Sequence, residues 1–97
     1  MNFHELKNFL VLAELLHFGK ASQACNLSPS ALTRSIQRTE ESLGQPLFMR
    51  DNRTVSLTAA GEKFRTYASS AIRDWEAMRE DLNDHGKISG LPFKTIN

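Results

Sequence analysis

The chain has 97 residues, 40% of them hydrophobic, enough for one small globular unit that buries about 60–70% of its unfolded surface. Lysine and arginine outnumber aspartate and glutamate by only 12 to 11, which excludes a basic protein that coats nucleic acid indiscriminately but leaves room for a local patch. Such a patch runs from Arg34 to Arg53, where Arg34, Arg38, Arg50 and Arg53 are set against Glu40, Glu41 and Asp51. The lone Cys25 excludes an intramolecular disulfide and a cysteine metal cluster, and the longest apolar run, 9–13, is too short to span a membrane. Both features point to a reducing, cytoplasmic setting with no membrane partner.

In chain order, Leu6, Phe9, Leu10, Ala13 and Leu16 recur at helical spacing and predict a first amphipathic helix over 3–16. His17-Phe18-Gly19 reads as a break. Residues 20–25 then predict a short second helix whose Ala21, Ala24 and Cys25 are small enough for close helix approach, with Asn26-Leu27 as the turn. The third helix is specified at both ends: Ser28 as N-cap, Pro29 at the first helical position, and Gly44 as the left-handed terminator. At about 100° per residue, Leu32, Ile36, Thr39 and Leu43 fall within roughly 60° of one another and form a packing stripe. Ser30, Thr33, Arg34, Gln37, Arg38 and Glu41 lie opposite. Hydroxyls, an amide and two guanidinium groups on one helix face are the side chains able to bond base edges and phosphates from the major groove. A short small-residue helix, a tight turn and a capped helix with a polar outer face together make a helix-turn-helix.

After the breaker pair Gln45-Pro46, residues 47–50 and 54–58 predict two short strands around the turn Asp51-Asn52-Arg53, a β-hairpin wing with Arg50 and Arg53 flanking its tip. Guanidinium groups there are placed to reach phosphates or an adjacent minor groove. Thr58 to Glu62 reads as a helix start, and one long helix follows over 59–86. Phe64, Ala68, Ala71, Trp75, Met78 and Leu82 follow a sustained heptad rhythm along it, a seam that calls for a second helix and predicts a homodimer. Residues 87–97 read as a hinge followed by a strand without a sheet, as though a further domain began there.

The pattern divides the chain into a DNA-binding head at 1–58, a linker and dimerisation helix at 59–86, and a hinge with the start of an absent domain at 87–97. The fold class is mainly α: a three-helix head, a two-stranded β wing and a long helix. These elements, with Phe9, Phe18, Ala21, Ala24, the run Ser28 to Arg34, Ile36, Glu40, Leu43-Gly44, Leu47-Phe48, Arg50 and the run Leu57 to Gly61, resemble the N-terminal region of LysR-type transcriptional regulators. The run from Gly44 to Val55 is most similar to the activators of isoleucine–valine biosynthesis genes. The resemblance implies a winged helix-turn-helix bound to an interrupted dyad of double-stranded DNA as a dimer, or as a tetramer in the full protein, with RNA polymerase as a further partner. It implies contacts from Ser28, Pro29, Ser30, Thr33, Arg34, Gln37 and Arg38 of the helix and from Arg50 and Arg53 of the wing, Arg34 and Arg53 foremost. It also implies an effector domain beyond Asn97 that senses a small molecule, an acetohydroxy acid precursor for this subgroup, and no cofactor within these residues.

Ser22, Cys25 and Thr39 depart from the family pattern, where larger or more apolar residues are common. A smaller residue in place of a buried leucine typically costs about 1–3 kcal/mol unless neighbours fill the space. An enzyme has no support: there is no phosphate-cradling glycine loop, no nucleophile–base pairing and no metal spacing among His4, His17 and His85. The competing reading is a winged-helix protein-interaction module, which would show no salt-dependent duplex binding.

Overall fold

The computed structural model describes residues 2–88, and side chains for 2–84; the predicted hinge and strand at 87–97 otherwise lie outside the described residues. Four helices and a hairpin follow in the order α1 (Phe3–Leu15), α2 (Phe18–Ala24), α3 (Pro29–Leu43), β1 (Phe48–Arg50), β2 (Val55–Leu57) and α4 (Ala59–Ile88). Helix α4 runs two residues past its expected end.

Local chemistry sets each boundary. Asn2 and Glu5 form a reciprocal capping box at the start of α1: the Asn2 side chain accepts from the Glu5 amide at 2.9 Å, and the Asn2 amide donates to the Glu5 carboxylate at 3.3 Å. Leu16 ends the helix in the left-handed region, φ 49°, without a glycine. The predicted break at 17–19 is shorter than expected. His17 Nδ1 accepts from the Lys20 amide at 3.0 Å, so His17 is itself the N-cap and α2 starts at Phe18 rather than Lys20. Asn26, φ 57°, makes the turn into α3. There the Ser28 hydroxyl accepts from the Ala31 amide at 3.1 Å, and Gly44, φ 73°, closes the helix by donating to the Glu40 and Glu41 carbonyls.

The core gathers around Phe9, which is fully buried with its ring centroid 5.3 Å from that of Phe48 and 4.8 Å from that of Phe64. Leu6, Leu12, Leu32, Ile36, Leu47 and Ala68 complete it. This corrects the reading of the heptad seam. Phe64 and Ala68, assigned to dimerisation, are buried in the chain's own head, and Ala71 packs half-buried against it. The head covers this part of α4 because α1 lies against that helix, and Phe3 at the start of α1 places its ring 5.2 Å from Trp75.

The departures at Ser22 and Thr39 leave no polar orphan. The Ser22 hydroxyl donates to the Gly19 carbonyl at 2.8 Å and that of Thr39 to the Ser35 carbonyl at 3.2 Å, both deeply buried. The hairpin is antiparallel, with Phe48 opposite Leu57, Met49 opposite Ser56 and Arg50 opposite Val55. Its root is tied to α4 by Thr58, whose amide donates to the Leu47 carbonyl at 3.0 Å. The Thr58 hydroxyl donates to the Pro46 carbonyl at 2.8 Å and accepts from the Gly61 amide at 2.9 Å. At Gly61 a Cβ would collide with the Leu47 carbonyl oxygen, so only glycine lets the helix approach the strand this closely.

Candidate nucleic-acid interface

Helix α3 divides into two faces. Leu32, Ile36 and Thr39 are fully buried, which fixes the rotation of the helix against α1. Leu43, counted in the same stripe, is instead 42% exposed, because it sits in the last turn beyond the cover of the head. On the opposite side Ser28, Pro29, Ser30, Arg34, Gln37 and Arg38 are exposed and Thr33 is half-buried. The Ser28 and Ser30 hydroxyls lie 3.3 Å apart. Among the described residues, the side chains of Thr33, Arg34, Gln37 and Arg53 engage no hydrogen bond or ion pair of the chain, so their donors and acceptors stay available to a partner.

The arginines are not equivalent. Arg38 Nε donates to Glu5 Oε2 at 2.9 Å, an ion pair in which the glutamate side chain is 10% exposed and the arginine side chain 55% exposed. That bond holds the Glu5 carboxyl below the usual glutamate value, against the opposing effect of burial and with help from the Asn2 amide. Arg50 lies over the Phe18 ring, 4.3 Å from its centroid, so β1 is fastened to the start of α2 by a cation–π contact. Arg53 sits in the hairpin tip, whose turn is held by the Asp51 amide donating to the Thr54 carbonyl at 2.9 Å.

The side chains expected to meet a nucleic acid are therefore all on the surface, on α3 and on the wing. Sequence reasoning missed the residues that hold them there. Glu40 accepts from the Leu47 amide at 2.8 Å and the Phe48 amide at 3.4 Å, anchoring the loop between α3 and β1. Asn8 donates to the Ser35 hydroxyl at 3.1 Å, beside the Glu5–Arg38 pair. Burial raises the Cys25 thiol above its ordinary value. No helix among the described residues is long and apolar enough to cross a membrane.

Along the distal part of α4, Trp75, Met78 and Leu82 are 42%, 41% and 46% exposed, an apolar row whose first member also meets the Phe3 ring of α1.

A helical head with a tight α2–α3 turn, an antiparallel wing and an extended last helix defines a winged helix-turn-helix protein with a projecting helix. Residues 3–62 match the family described as "Bacterial regulatory helix-turn-helix protein, lysR family", and the chain belongs to it. It is 51% identical over 91 residues to the HTH-type transcriptional activator IlvY of Salmonella typhimurium, and 50% identical to the HTH-type transcriptional regulator IlvY of Escherichia coli K12. Each match covers 93% of this chain but 31% of the relative, so the chain spans about a third of those proteins. Solved structures containing DNA are among those it is similar to. Vibrio fischeri DarR in complex with DNA aligns at a TM-score of 0.85 and 28% identity, over 91% of this chain and 30% of its own. The BenM_DBD/catB site 1 DNA complex aligns at 0.84 and 29% identity, over 89% and 96%.

Proposed function

We propose that this chain is the DNA-binding part of a LysR-family transcriptional regulator, laying α3 in the major groove of a dyad half-site with the wing at the flanking backbone or minor groove. The observation that carries the reading is the set of unengaged polar side chains on α3, Thr33, Arg34 and Gln37, held outward by the buried stripe on its other side. Arg34 and Gln37 carry the fork and amide geometries that read guanine and adenine edges. Ser28, Pro29 and Ser30 bring the helix N-terminus to a phosphate, while Arg38, Arg50 and Arg53 supply charge to the backbone.

Two copies join through Trp75, Met78 and Leu82, because an apolar row of this length needs a partner helix and the head covers only its proximal end. Residues 1–58 are then the reading head and 59–86 the dimerisation arm, with 87–97 leading toward an effector-binding domain. In the full protein, a tetramer in the cytoplasm binds a small-molecule effector outside this chain and engages RNA polymerase. The identity to the IlvY activators supports control of branched-chain amino acid biosynthesis genes. The chain has no enzymatic role.

Selection of bound duplexes from a random pool tests the reading. The expected product is an interrupted dyad, bound with a log–log salt slope of roughly −0.9 per phosphate neutralised. Arg34→Ala should cost about 1–3 kcal/mol and relax base preference, whereas Arg53→Ala should weaken binding evenly across sequences. Failure to bind any duplex at low salt, or equal loss on cognate and scrambled duplexes for Arg34→Ala, would overturn it.

A further inference from the structure

Two polar rungs cross the otherwise apolar contact between α1 and α3. Glu5 bonds Arg38, and one turn further along α1 Asn8 bonds Ser35, one turn back on α3. The rungs run antiparallel. Apolar side chains alone would tolerate small sliding between these helices, whereas two directional bonds fix one register. Glu5 is the more constrained partner: its carboxylate is nearly buried, with Oε1 on the Asn2 amide and Oε2 on Arg38 Nε. A capping box thus sets the position of the carboxylate, and the carboxylate sets the position of the guanidinium.

The atom used matters. Glu5 takes Nε, the inner donor, so the guanidinium is held at one edge while its terminal amino groups make no hydrogen bond or ion pair among the described residues, on a side chain that is 55% exposed. That is the geometry of an arginine pre-oriented for a phosphate, since a planar fork held at one edge loses less freedom when its other edge binds. We propose that Glu5 is a positioning residue for DNA binding, acting through Arg38 to aim its terminal amino groups at one backbone phosphate of the half-site. The inference rests on α3 being the DNA-reading helix.

The sign of the effect separates this from simple electrostatics. Removing an acidic residue close to a DNA-facing helix should strengthen binding if charge alone counts; removing a positioning carboxylate should weaken it. The test uses a fluorescent duplex selected from a random pool by the unmodified chain, titrated with the chain and three variants over a range of salt. Glu5→Gln retains a side chain able to complete the capping box but loses the carboxylate charge. It is expected to bind about 10-fold more weakly, as for loss of one bond to a charged group, with the salt slope shallower by up to about 0.9 and base preference unchanged. Arg38→Ala should show the same loss, and Glu5→Gln added to Arg38→Ala should cost nothing more. Arg38→Lys, which keeps the charge and disturbs neither cap nor core, should also lose affinity and provides the reading if Glu5→Gln does not fold.

Equal or tighter binding by Glu5→Gln, an undiminished further loss in the Arg38→Ala background, or wild-type affinity for Arg38→Lys would overturn the positioning role while leaving DNA binding intact. If the unmodified chain retains no duplex from the pool, the reading of α3 itself fails, and this inference with it.

Discussion

Near the start of α4, Phe64 and Ala68 are 7% and 0% exposed, whereas Trp75, Met78 and Leu82 on the same heptad rhythm are 42%, 41% and 46% exposed. One repeat thus serves two surfaces. Its proximal part completes the core around Phe9, and its distal part stays largely open, with Phe3 of α1 set against its first residue, Trp75. A heptad pattern states which face of a helix is apolar; what covers that face depends on where other elements end, and here α1 starts beside Trp75.

Four substitutions sharpen or break this contrast, ordered by their effect on unfolding of the head. Phe64→Ala removes a buried ring that packs edge-to-face on Phe9 and should lower stability by about 3–5 kcal/mol in urea titration; a loss under about 1 kcal/mol would mean that the proximal part is not core. Glu40→Ala leaves the Leu47 and Phe48 amides without their acceptor and should cost about 1–3 kcal/mol, with hydrogen exchange at those amides accelerating more than at Phe9.

Acid should then act through Glu5. Its folded-state carboxyl titrates below the ordinary glutamate value, so its contribution is fully present above that value and is lost as pH falls through the lowered one. Urea midpoints followed from neutral to acid pH should decline less steeply in Glu5→Gln; an identical decline would place the sensitivity elsewhere. Met78→Ala is last: it should change unfolding of the dilute chain by no more than about 0.5 kcal/mol yet weaken self-association in sedimentation. The reverse outcome would erase the distinction between the two parts of α4.

Helix α3 is the element most legible in the sequence, because its signals are local: Ser28, Pro29 and Gly44 occupy the cap positions that their chemistry predicts. The first wing strand starts one residue later than expected and the second is one residue shorter at each end, within the fraying of short strands. The start of α2 was misplaced because Phe18-Gly19 looks like a break, while the signal that decides it is a histidine ring nitrogen three residues before the amide it accepts from. In the interface, exposure was legible from periodicity, but engagement was not. Arg34 and Arg38 look alike in the sequence; only the fold brings Glu5, 33 residues away, to one of them. Glu40 was missed for the same reason, since its amide partners follow a loop whose path the sequence does not state.

The three bonds of Thr58 and the tight approach of Gly61 join the first turn of α4 to the root of the hairpin. No hinge is left between them. A torque applied to the projecting arm would therefore be delivered both to the root of the hairpin and, through Phe64 against Phe9, to α1. A load on that lever would be shared between the wing and the helices of the head.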